Sequence, residues 1–383
     1  MSRPRFFLFL SLALSVYLSF STIVFLYGWH AFASVPTVQM IFAFVFWILT
    51  PLFFIARGLE FFTKGNLVRV LLLVGSFWLA LLVYFTVGIF FFEILGSILY
   101  YFQPLLFEQF LALSPIFALS TILLSIILAV IWWIHAHNPK LRSLEYNFSR
   151  GDAPSSSFRI VAASDIHLGT IIGKKRFDRL VTQINSLHPD LVFFVGDTID
   201  EDIEPVIHQD IGTSIRRIKS RLWVFAVNGN HEYIGWVERA DAYLIEHGVQ
   251  VLRDTSICID DSFTLVGRED ISSRAFTGTA RKTLKELLLL VPSNLPIMLL
   301  DHQPSWIRET ADDGRVALQL SGHTHHGQLW PFSLVTRGIF EISWGAKKIG
   351  KTEFYVSCGW GTWGPPVRIG NTAELLDIRI NFI

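Results

Sequence analysis

Charge is scarce in the first third of this 383-residue chain. Only eight of residues 1–135 are Asp, Glu, Lys or Arg, and the 51 residues from Phe6 to Ala56 include none. Soluble helices would keep a polar face toward water, so this composition favours helices that face lipid. The formal net charge of the whole chain is zero, which does not indicate a nucleic-acid-binding surface, and no nucleic-acid partner is expected.

Cysteine is equally scarce. Cys258 and Cys358 are the only two, and neither belongs to a CxxC or other zinc-ligand spacing. A disulfide framework is therefore not expected. The first apolar run is also too long for a secretory signal peptide and lacks its small-residue exit.

The apolar region, residues 1–139, is long enough for several membrane spans, since a spanning helix needs about 20 apolar residues. Pro36 offers a place to turn within the first run. The segment 94–110 is aromatic but interrupted by Gly96, Pro104 and Glu108. We interpret it as interfacial or re-entrant, with a fifth span as the alternative. The four predicted spans cover residues 6–31, 38–56, 70–92 and 111–134.

The distribution of Lys and Arg predicts the orientation. Cytoplasmic loops carry an excess of these residues, and four spans would place both ends of the apolar region on the positive side. Residues 158–383 are then cytoplasmic, joined by a linker over 140–157 to a multi-pass region in the bacterial inner membrane. Five spans would reverse this orientation. The basic residues used are Arg3, Arg5, Arg57, Lys64, Arg69, Lys140, Arg142 and Arg150.

From residue 158 onward, short apolar runs alternate with apolar residues at helical spacing, which is typical of a mixed α/β domain. Helical spacing connects Phe177 to Leu187 and Leu284 to Val291. The runs themselves have the length of buried strands. They cover residues 158–164, 191–195, 222–227, 297–300 and 316–320.

Polar residues that can bind metals follow each of these five strands. We expect the five strand ends to lie in one sheet layer and to converge on one edge, where α/β folds place ligands. Alternate residues of an extended segment point to the same side, so a pair such as Asp165 and His167 can bind one ion. The motifs are Asp165-Ile166-His167, Gly196-Asp197-Thr198-Ile199-Asp200, Gly229-Asn230-His231-Glu232, Asp301-His302 and Gly322-His323-Thr324-His325.

The types of ligand restrict the metal and the chemistry. Oxygen and imidazole donors without thiolate suit manganese, iron, zinc or magnesium. Two divalent ions about 3.5–4 Å apart need a carboxylate between them, and Asp197 is the natural bridge. Such a pair activates a shared water and neutralises phosphoryl oxygens, which predicts hydrolysis of a phosphate ester or anhydride.

At these residues the sequence resembles the calcineurin-like metallophosphoesterase superfamily, whose pattern D-x-H, G-D-x-x-D, G-N-H-[DE], H and G-H-x-H is matched in order. The resemblance implies a four-layer sandwich of two mixed sheets flanked by helices. It also implies two divalent metal ions, with manganese as the first candidate. His231 would contact the phosphate and protonate the leaving oxygen. One metal would be held by Asp165, His167, Asp197 and His325, and the other by Asp197, Asn230, His302 and His323.

A narrower resemblance covers nearly the whole chain. The N-terminal helices, Leu265–Asp270, Leu300–Pro304 and Ser357–Gly370 are similar to those of bacterial membrane-anchored metallophosphoesterases. Relatives in that group cleave the pyrophosphate of UDP-diacylglucosamine in lipid A biosynthesis, so this resemblance implies a lipid-linked substrate. One departure is His326, where the family usually has Gly, and its bulk could alter substrate access.

Further residues are candidates for substrate contacts or support. Arg268 could clamp a second phosphate, and Arg368 could reach it from the loop Gly359–Gly370. Capping, surface pairing or plain loop packing would explain these arginines equally well. Asp200 and Glu232 could orient histidine ligands, or could be solvated loop carboxylates.

The segment Leu329–Lys351 combines large apolar side chains with lysines. Such a segment could rest on an anionic bilayer or line an acyl-chain groove. Packing in the protein core explains the same residues and is the preferred interpretation of the sequence.

Together these features predict a membrane-bound phosphodiester or pyrophosphate hydrolase that acts on a lipid-linked substrate through a hydroxide bridging two ions. One alternative is the same chemistry on a soluble nucleotide or phosphomonoester. A second, from another class, is a non-catalytic membrane sensor in which the metal domain is structural. The complete ligand set with His231 argues against the sensor.

Overall fold

The computed structural model describes residues 3–149, 156–289, 291 and 295–383. They form two compact units. The first comprises the chain up to Ile134 with the short segment Gly364–Val367, and the second comprises His135–Trp363 and Arg368–Ile383. Residues 150–155, part of the predicted linker, lie outside the described residues.

The first unit consists of helices with mostly apolar side chains. Three helical segments, Pro36–Glu60, Asn66–Phe102 and Ser114–Ala136, are long and apolar enough to cross a membrane by length and composition. In the core of this unit, Phe46 and Trp78 pack edge to face with ring centroids 5.2 Å apart. The helices are α1 (Arg3–Ala31), α2 (Pro36–Leu49), α3 (Leu52–Glu60), α4 (Asn66–Phe102), α5 (Pro104–Ala112) and α6 (Ser114–Ala136).

Helix α4 is longer than the predicted span 70–92. It runs through Gly96 to Phe102 and ends before Pro104, which begins α5. A glycine costs a helix only about 1 kcal/mol, whereas a proline cannot continue one but fits its first turn. Residues 94–102 therefore continue α4, and the interfacial or re-entrant placement of 94–110 stays a prediction. The number of membrane crossings and the cytoplasmic orientation stay predictions.

The second unit alternates strands and helices. Its strands are β1 (Lys140–Phe148), β2 (Ser156–Ala163), β3 (Leu191–Val195), β4 (Trp223–Val227), β5 (Gln250–Val251), β6 (Thr255–Ile259), β7 (Phe263–Gly267), β8 (Ile297–Leu300), β9 (Val316–Ser321), β10 (Gly345–Ile349), β11 (Thr352–Val356) and β12 (Glu374–Phe382). Its helices are α7 (Lys174–Ser186), α8 (Glu204–His208), α9 (Gly212–Ile215), α10 (Asn230–Gly235), α11 (Val237–Glu246), α12 (Ser273–Thr277), α13 (Leu284–Leu288), α14 (Ile307–Asp313) and α15 (Phe332–Ile339).

The strands form two mixed sheets of six strands each. The first sheet has the order β1-β12-β2-β3-β4-β5, in which only the β12–β2 pair is antiparallel. The second has the order β10-β11-β9-β8-β7-β6, with antiparallel pairs at both ends. The strands in the middle of each sheet are mostly parallel, as expected where strands alternate with helices along the chain.

The main core lies between the two sheets. Phe193 and Phe225 of the first sheet share one buried cluster with Phe263 and Met298 of the second. A second cluster joins the outer face of the first sheet to α7 and α11, and a third joins the second sheet to α13. Helices therefore cover both outer faces, which confirms the predicted α/β sandwich of two mixed sheets flanked by helices.

The five predicted strands correspond to β2, β3, β4, β8 and β9. They do not lie in one sheet layer, because the first three belong to the first sheet and the other two to the second. That part of the prediction is wrong. Apolar runs report burial but not pairing partner, and the antiparallel β6–β7 hairpin, which turns at Asp260 and Asp261, was not predicted.

The predicted linker also needs correction. Residues 140–148 form β1, which pairs in parallel with β12 from Lys140↔Glu374 to Phe148↔Phe382. Polar residues alternate here with Leu144, Tyr146 and Phe148, which pack against the core between the sheets. This is the pattern of an edge strand with one solvent-exposed face. The charged residues Lys140, Arg142 and Glu145 made the segment resemble a linker.

Candidate metal centre

The metal-binding motifs meet where the two sheets present the carboxyl ends of their parallel strands. Asp165 follows β2, Asp197 follows β3 and Asn230 follows β4 in the first sheet. His302 follows β8, and His323 and His325 follow β9, in the second sheet. The site is thus assembled from both sheets and not from the edge of one.

The backbone at these positions is unusual. Five predicted ligands adopt positive φ angles, at which residues other than glycine are rarely found and cost free energy. They are Asp165 (51°), His167 (54°), Asp197 (49°), His323 (71°) and His325 (46°). Their concentration at one place indicates a functional site whose geometry the surrounding fold enforces.

Two of the motif glycines make room for the carboxylates. A Cβ atom at Gly229 would overlap the Asp197 carboxylate, and one at Gly322 would overlap Asp165 Oδ2. At these two positions only a glycine leaves enough space for the carboxylate beside it.

The first group of candidate ligands contains Asp165, His167 and His325, all buried, with donor atoms within 4.8 Å of one another. His167 Nε2 lies 3.0 Å from His325 Nε2, which is 3.4 Å from Asp165 Oδ1. Burial and the neighbouring His167 lower the pKa of His325 well below its usual value, so its lone pair is available.

The second group contains Asp197, His302 and His323, again within 4.8 Å. His302 Nε2 lies 3.1 Å from Asp197 Oδ2, while His302 Nδ1 is 2.8 Å from the Val195 carbonyl. Donation to that carbonyl turns Nε2 toward the site, as is common for metal-binding histidines. His323 Nδ1 lies 2.7 Å from Asn230 Oδ1, which brings the predicted amide ligand to the same place.

The charges in the second group complement one another. Burial favours the neutral form of Asp197, but the imidazoles of His302 and His231 outweigh it and hold the pKa of Asp197 well below its usual range. Burial, and then His302, lower the pKa of His323 to about 3. An ionised carboxylate beside a neutral imidazole is a donor set that suits a divalent cation.

Backbone amides hold each carboxylate in place. The His323 N–H donates to Asp165 Oδ1 at 2.9 Å, and the His231 N–H donates to Asp197 Oδ1 at 2.8 Å. In each group the carboxylate is held in a fixed orientation, and its second oxygen and the histidine ring nitrogens remain as candidate metal ligands. The residues present fit a pair of divalent ions, since two ring nitrogens 3.0 Å apart share at most one proton but can both bind one cation.

His231 lies beside the two groups. Its ring is edge-on to His167, with centroids 4.5 Å apart, and its Nδ1 is 3.1 Å from Asp200 Oδ1. Burial lowers the pKa of His231, but Asp197 and Asp200 outweigh that effect and raise it to about 9. These carboxylates favour the protonated imidazole, the form that a proton donor needs.

Asp200 and Glu232 support this arrangement. Asp200 Oδ1 also lies 3.4 Å from His167 Nδ1, so one carboxylate faces two histidines. The buried Glu232 carboxylate accepts from the backbone N–H groups of Asp197, Ile199 and Gly229 at 2.8–3.1 Å. Neither residue is a solvated loop carboxylate, and both orient the site.

The two arginines predicted to contact substrate are buried. Arg268 lies 3.4 Å from Asp301 Oδ2 and 3.0 Å from Glu309 Oε2. Arg368 donates to the Gly361 carbonyl and to Asn371 Oδ1, and its Nη2 is 3.2 Å from His325 Nδ1. The structure thus gives both guanidinium groups intramolecular partners in place of a substrate.

His326 is also buried. Its Nδ1 lies 3.2 Å from Ser343 Oγ, and its ring packs 5.2 Å from Trp344. Asn371, which the sequence analysis missed, donates to the carbonyls of His325 and His326. Only its place one residue after Gly370, at the end of the resembling segment, could have marked it.

Comparison with known proteins agrees with this geometry. The model of the calcineurin-like phosphoesterase family matches residues 158–327. A bovine transmembrane protein with a metallophosphoesterase domain is 31% identical over 283 residues, 70% of this chain and 62% of the relative. An uncharacterized metallophosphoesterase of Helicobacter pylori is 32% identical over 233 residues, 60% of this chain and 61% of the relative.

The chain thus spans about three fifths of those two relatives. A metallophosphoesterase of Campylobacter jejuni is covered further: it is 30% identical over 278 residues, which make up 70% of this chain and 71% of the relative. The matched residues contain every predicted metal ligand, and the apolar helices agree with the membrane domain of the bovine relative. This chain belongs to the calcineurin-like metallophosphoesterases.

Proposed function

We propose that this protein is a membrane-bound hydrolase that uses two divalent ions to cleave a phosphodiester or pyrophosphate. The observation that carries the proposal is the pair of ligand groups, the first buried and the second buried except for the half-buried His323. The donor atoms of each lie within 4.8 Å of one another, beside a histidine whose pKa is raised to about 9. Two ions, manganese before iron, zinc or magnesium, would activate water and neutralise the phosphoryl oxygens when bound.

The protein residues divide this work. One ion is assigned to Asp165, His167, Asp197 and His325, and the other to Asp197, Asn230, His302 and His323. His231 donates a proton to the leaving oxygen, and Asp200 holds its imidazolium in position through the 3.1 Å contact at Nδ1. The surrounding fold holds five of the assigned ligands at positive φ angles, so their geometry is fixed before the reaction.

The favoured substrate is lipid-linked, of the UDP-diacylglucosamine type, with the hydrolase domain in the cytoplasm of a bacterium. Its first support is the set of apolar helices, which tie the domain to a bilayer. Its second is α15, where Phe332, Leu334, Val335 and Ile339 are exposed. The preferred interpretation of this segment, core packing, holds for the buried Leu329 but not for these four residues.

An exposed apolar helix is suited to a bilayer surface or to acyl chains. Lys347 and Lys348 are exposed in β10, but each pairs with a glutamate, Glu341 at 3.2 Å and Glu353 at 2.9 Å, so this support comes from the apolar side chains and not from charge.

The test uses the full-length protein in detergent with Mn²⁺. UDP-diacylglucosamine, a bis-aryl phosphate and a mono-aryl phosphate are compared, and hydrolysis of UDP-diacylglucosamine with the highest kcat/KM is the expected result. Preference for the mono-aryl ester would favour a soluble phosphomonoester, and no hydrolysis of any substrate would favour the sensor. A topology reporter after Ile383 that scored extracytoplasmic would overturn the orientation.

A further inference from the structure

An exposed tryptophan stands beside the proton donor. Trp363 is 53% exposed, and its ring centroid lies 6.1 Å from that of His231, at an interplanar angle of 70°. Exposure alone does not distinguish it, since Trp223 (52%) and Trp306 (51%) are equally exposed. Its position next to a buried histidine of the site separates it from an ordinary surface residue.

The loop that carries Trp363 is fixed against the metal centre. The Trp360 N–H donates to the Ser164 carbonyl at 2.9 Å, and the Gly361 N–H donates to the Asp165 carbonyl at 2.8 Å. A Cβ at Gly361 would overlap the carbonyls of Asp165 and Ile166, so the loop approaches the strand end as closely as a backbone can. Arg368 holds the Gly361 carbonyl from the other side.

Gln328 fixes the backbone of Trp363 itself. Its Nε2 donates to the Trp363 carbonyl at 2.8 Å, and its Oε1 accepts from the Trp363 N–H at 2.9 Å. The backbone N–H of Gln328 donates in turn to the carbonyl of the predicted ligand His325 at 2.9 Å. Trp363 is therefore tied to the metal-binding segment while its indole remains accessible, and ordering it for a ligand costs little conformational entropy.

The indole lies where a leaving group must pass. His231 protonates the leaving oxygen in the proposed function, so the leaving group departs beside that imidazole. A ring centred 6.1 Å from it is within reach of the first groups attached to the leaving oxygen. The apolar face of an indole recognises flat aromatic rings by stacking, whatever their hydrogen-bonding pattern.

We propose that Trp363 is a stacking platform for a planar ring in the leaving group, an aryl group or a nucleobase. This assignment rests on the proposed function and deepens it, because it gives the enzyme a preference for leaving groups that carry such a ring. A leaving group with only an alkyl chain gains less from the platform.

The test compares three substrates in one enzyme preparation. P1,P2-di(uridine-5′) pyrophosphate and P1,P2-dihexyl pyrophosphate both release a phosphate monoester, so their leaving atoms are matched and they differ in carrying a nucleoside or a hexyl chain. Bis(p-nitrophenyl) phosphate supplies an aryl ring. The ratio of kcat/KM for a planar substrate to that for the dihexyl substrate is independent of how much enzyme is folded.

Trp363→Ala is expected to lower that ratio by about 5- to 100-fold, the range typical of base stacking on an aromatic side chain. Trp363→Phe should restore most of it. A loss confined to the diuridine substrate identifies a nucleobase, and one confined to the nitrophenyl substrate identifies an aryl group. The control is Trp223→Ala. Trp223 is similarly exposed (52%) but lies at the start of β4, whereas His231 follows the end of that strand, so every ratio should stay unchanged.

An unchanged ratio for both planar substrates in Trp363→Ala would overturn the assignment, as would an equal loss for the dihexyl substrate. Either outcome leaves wild-type hydrolysis, and thus the proposed function, intact. A wild-type protein that cleaves neither these three nor UDP-diacylglucosamine with Mn²⁺ present would instead reject the proposed function, and the platform with it.

Discussion

The two groups of candidate ligands meet at one place but differ in enclosure. Asp165, His167 and His325 are all buried, whereas the second group contains the half-buried His323 with the half-buried Asn230 beside it. Solvent therefore reaches the second group more readily. The difference suits a division of labour in which the first group is the permanent anchor and the second exchanges its ion and meets substrate.

The two groups also depend on different parts of the chain. In the second, His302 is oriented by the Val195 carbonyl, within the residues that match the family. In the first, His325 is supported by Arg368 and Asn371, which lie beyond residue 327. The C-terminal segment, outside the family match, thus completes the more enclosed half of the site.

The largest expected effect comes from the residue assigned to both ions. Asp197→Asn removes the negative charge of the carboxylate assigned to both ions, so the two ions should no longer bind as a pair. Loss of several kcal/mol of charge stabilisation should lower kcat by about 10⁴-fold, and metal analysis should find fewer than two ions per chain. Wild-type activity in this variant would reject the two-ion mechanism.

The next effect concerns a residue outside both groups. His231→Ala should lower kcat by about 10³-fold while both ions stay bound, since a general acid contributes about 10²- to 10⁴-fold. The loss should be greater for a phenyl than for a p-nitrophenyl diester, because the poorer leaving group needs the proton more. Metal content measured on the same preparation is the control. Equal losses for the two esters would mean that His231 positions substrate and donates no proton.

A matched pair of variants tests the difference in enclosure directly. His323→Ala, in the more open group, should lower kcat by about 100-fold and recover in part at high Mn²⁺. His325→Ala should lose at least as much and recover less, because it leaves the buried Arg368 facing a cavity. Both are compared by titration with Mn²⁺. Identical recovery would remove the distinction between anchor and exchangeable site.

The smallest effect is on pH dependence. A proton donor with a pKa of about 9 stays protonated until the pH rises through that value, so kcat should fall on the alkaline side near pH 9. Asp200→Asn removes one of the carboxylates that raise this pKa, and the fall should move to lower pH with a loss of about 10-fold at neutral pH. A profile of kcat against pH for both proteins checks this. An unmoved alkaline limb would assign the titration to another group.

Much of the site was predictable because its residues stand at strand ends. Apolar runs located β3 and β8 to the residue, and the polar residues after them were the correct ones to bring together. Arg268 and Arg368 show the limit of this reasoning. A sequence gives an arginine's charge but not its burial, and both form contacts with residues distant in the chain.

By itself, the sequence determined the apolar helices, the mixed α/β character of the second unit and which residues are the candidate metal ligands, since each depends on local composition or spacing. Only the tertiary structure decided that the site is shared by two sheets, that β1 extends the first of them, and that Trp363 lies beside His231. Strand pairing and loop packing are contacts between residues far apart in sequence. They depend on how the whole core fills its space, and no local pattern records that.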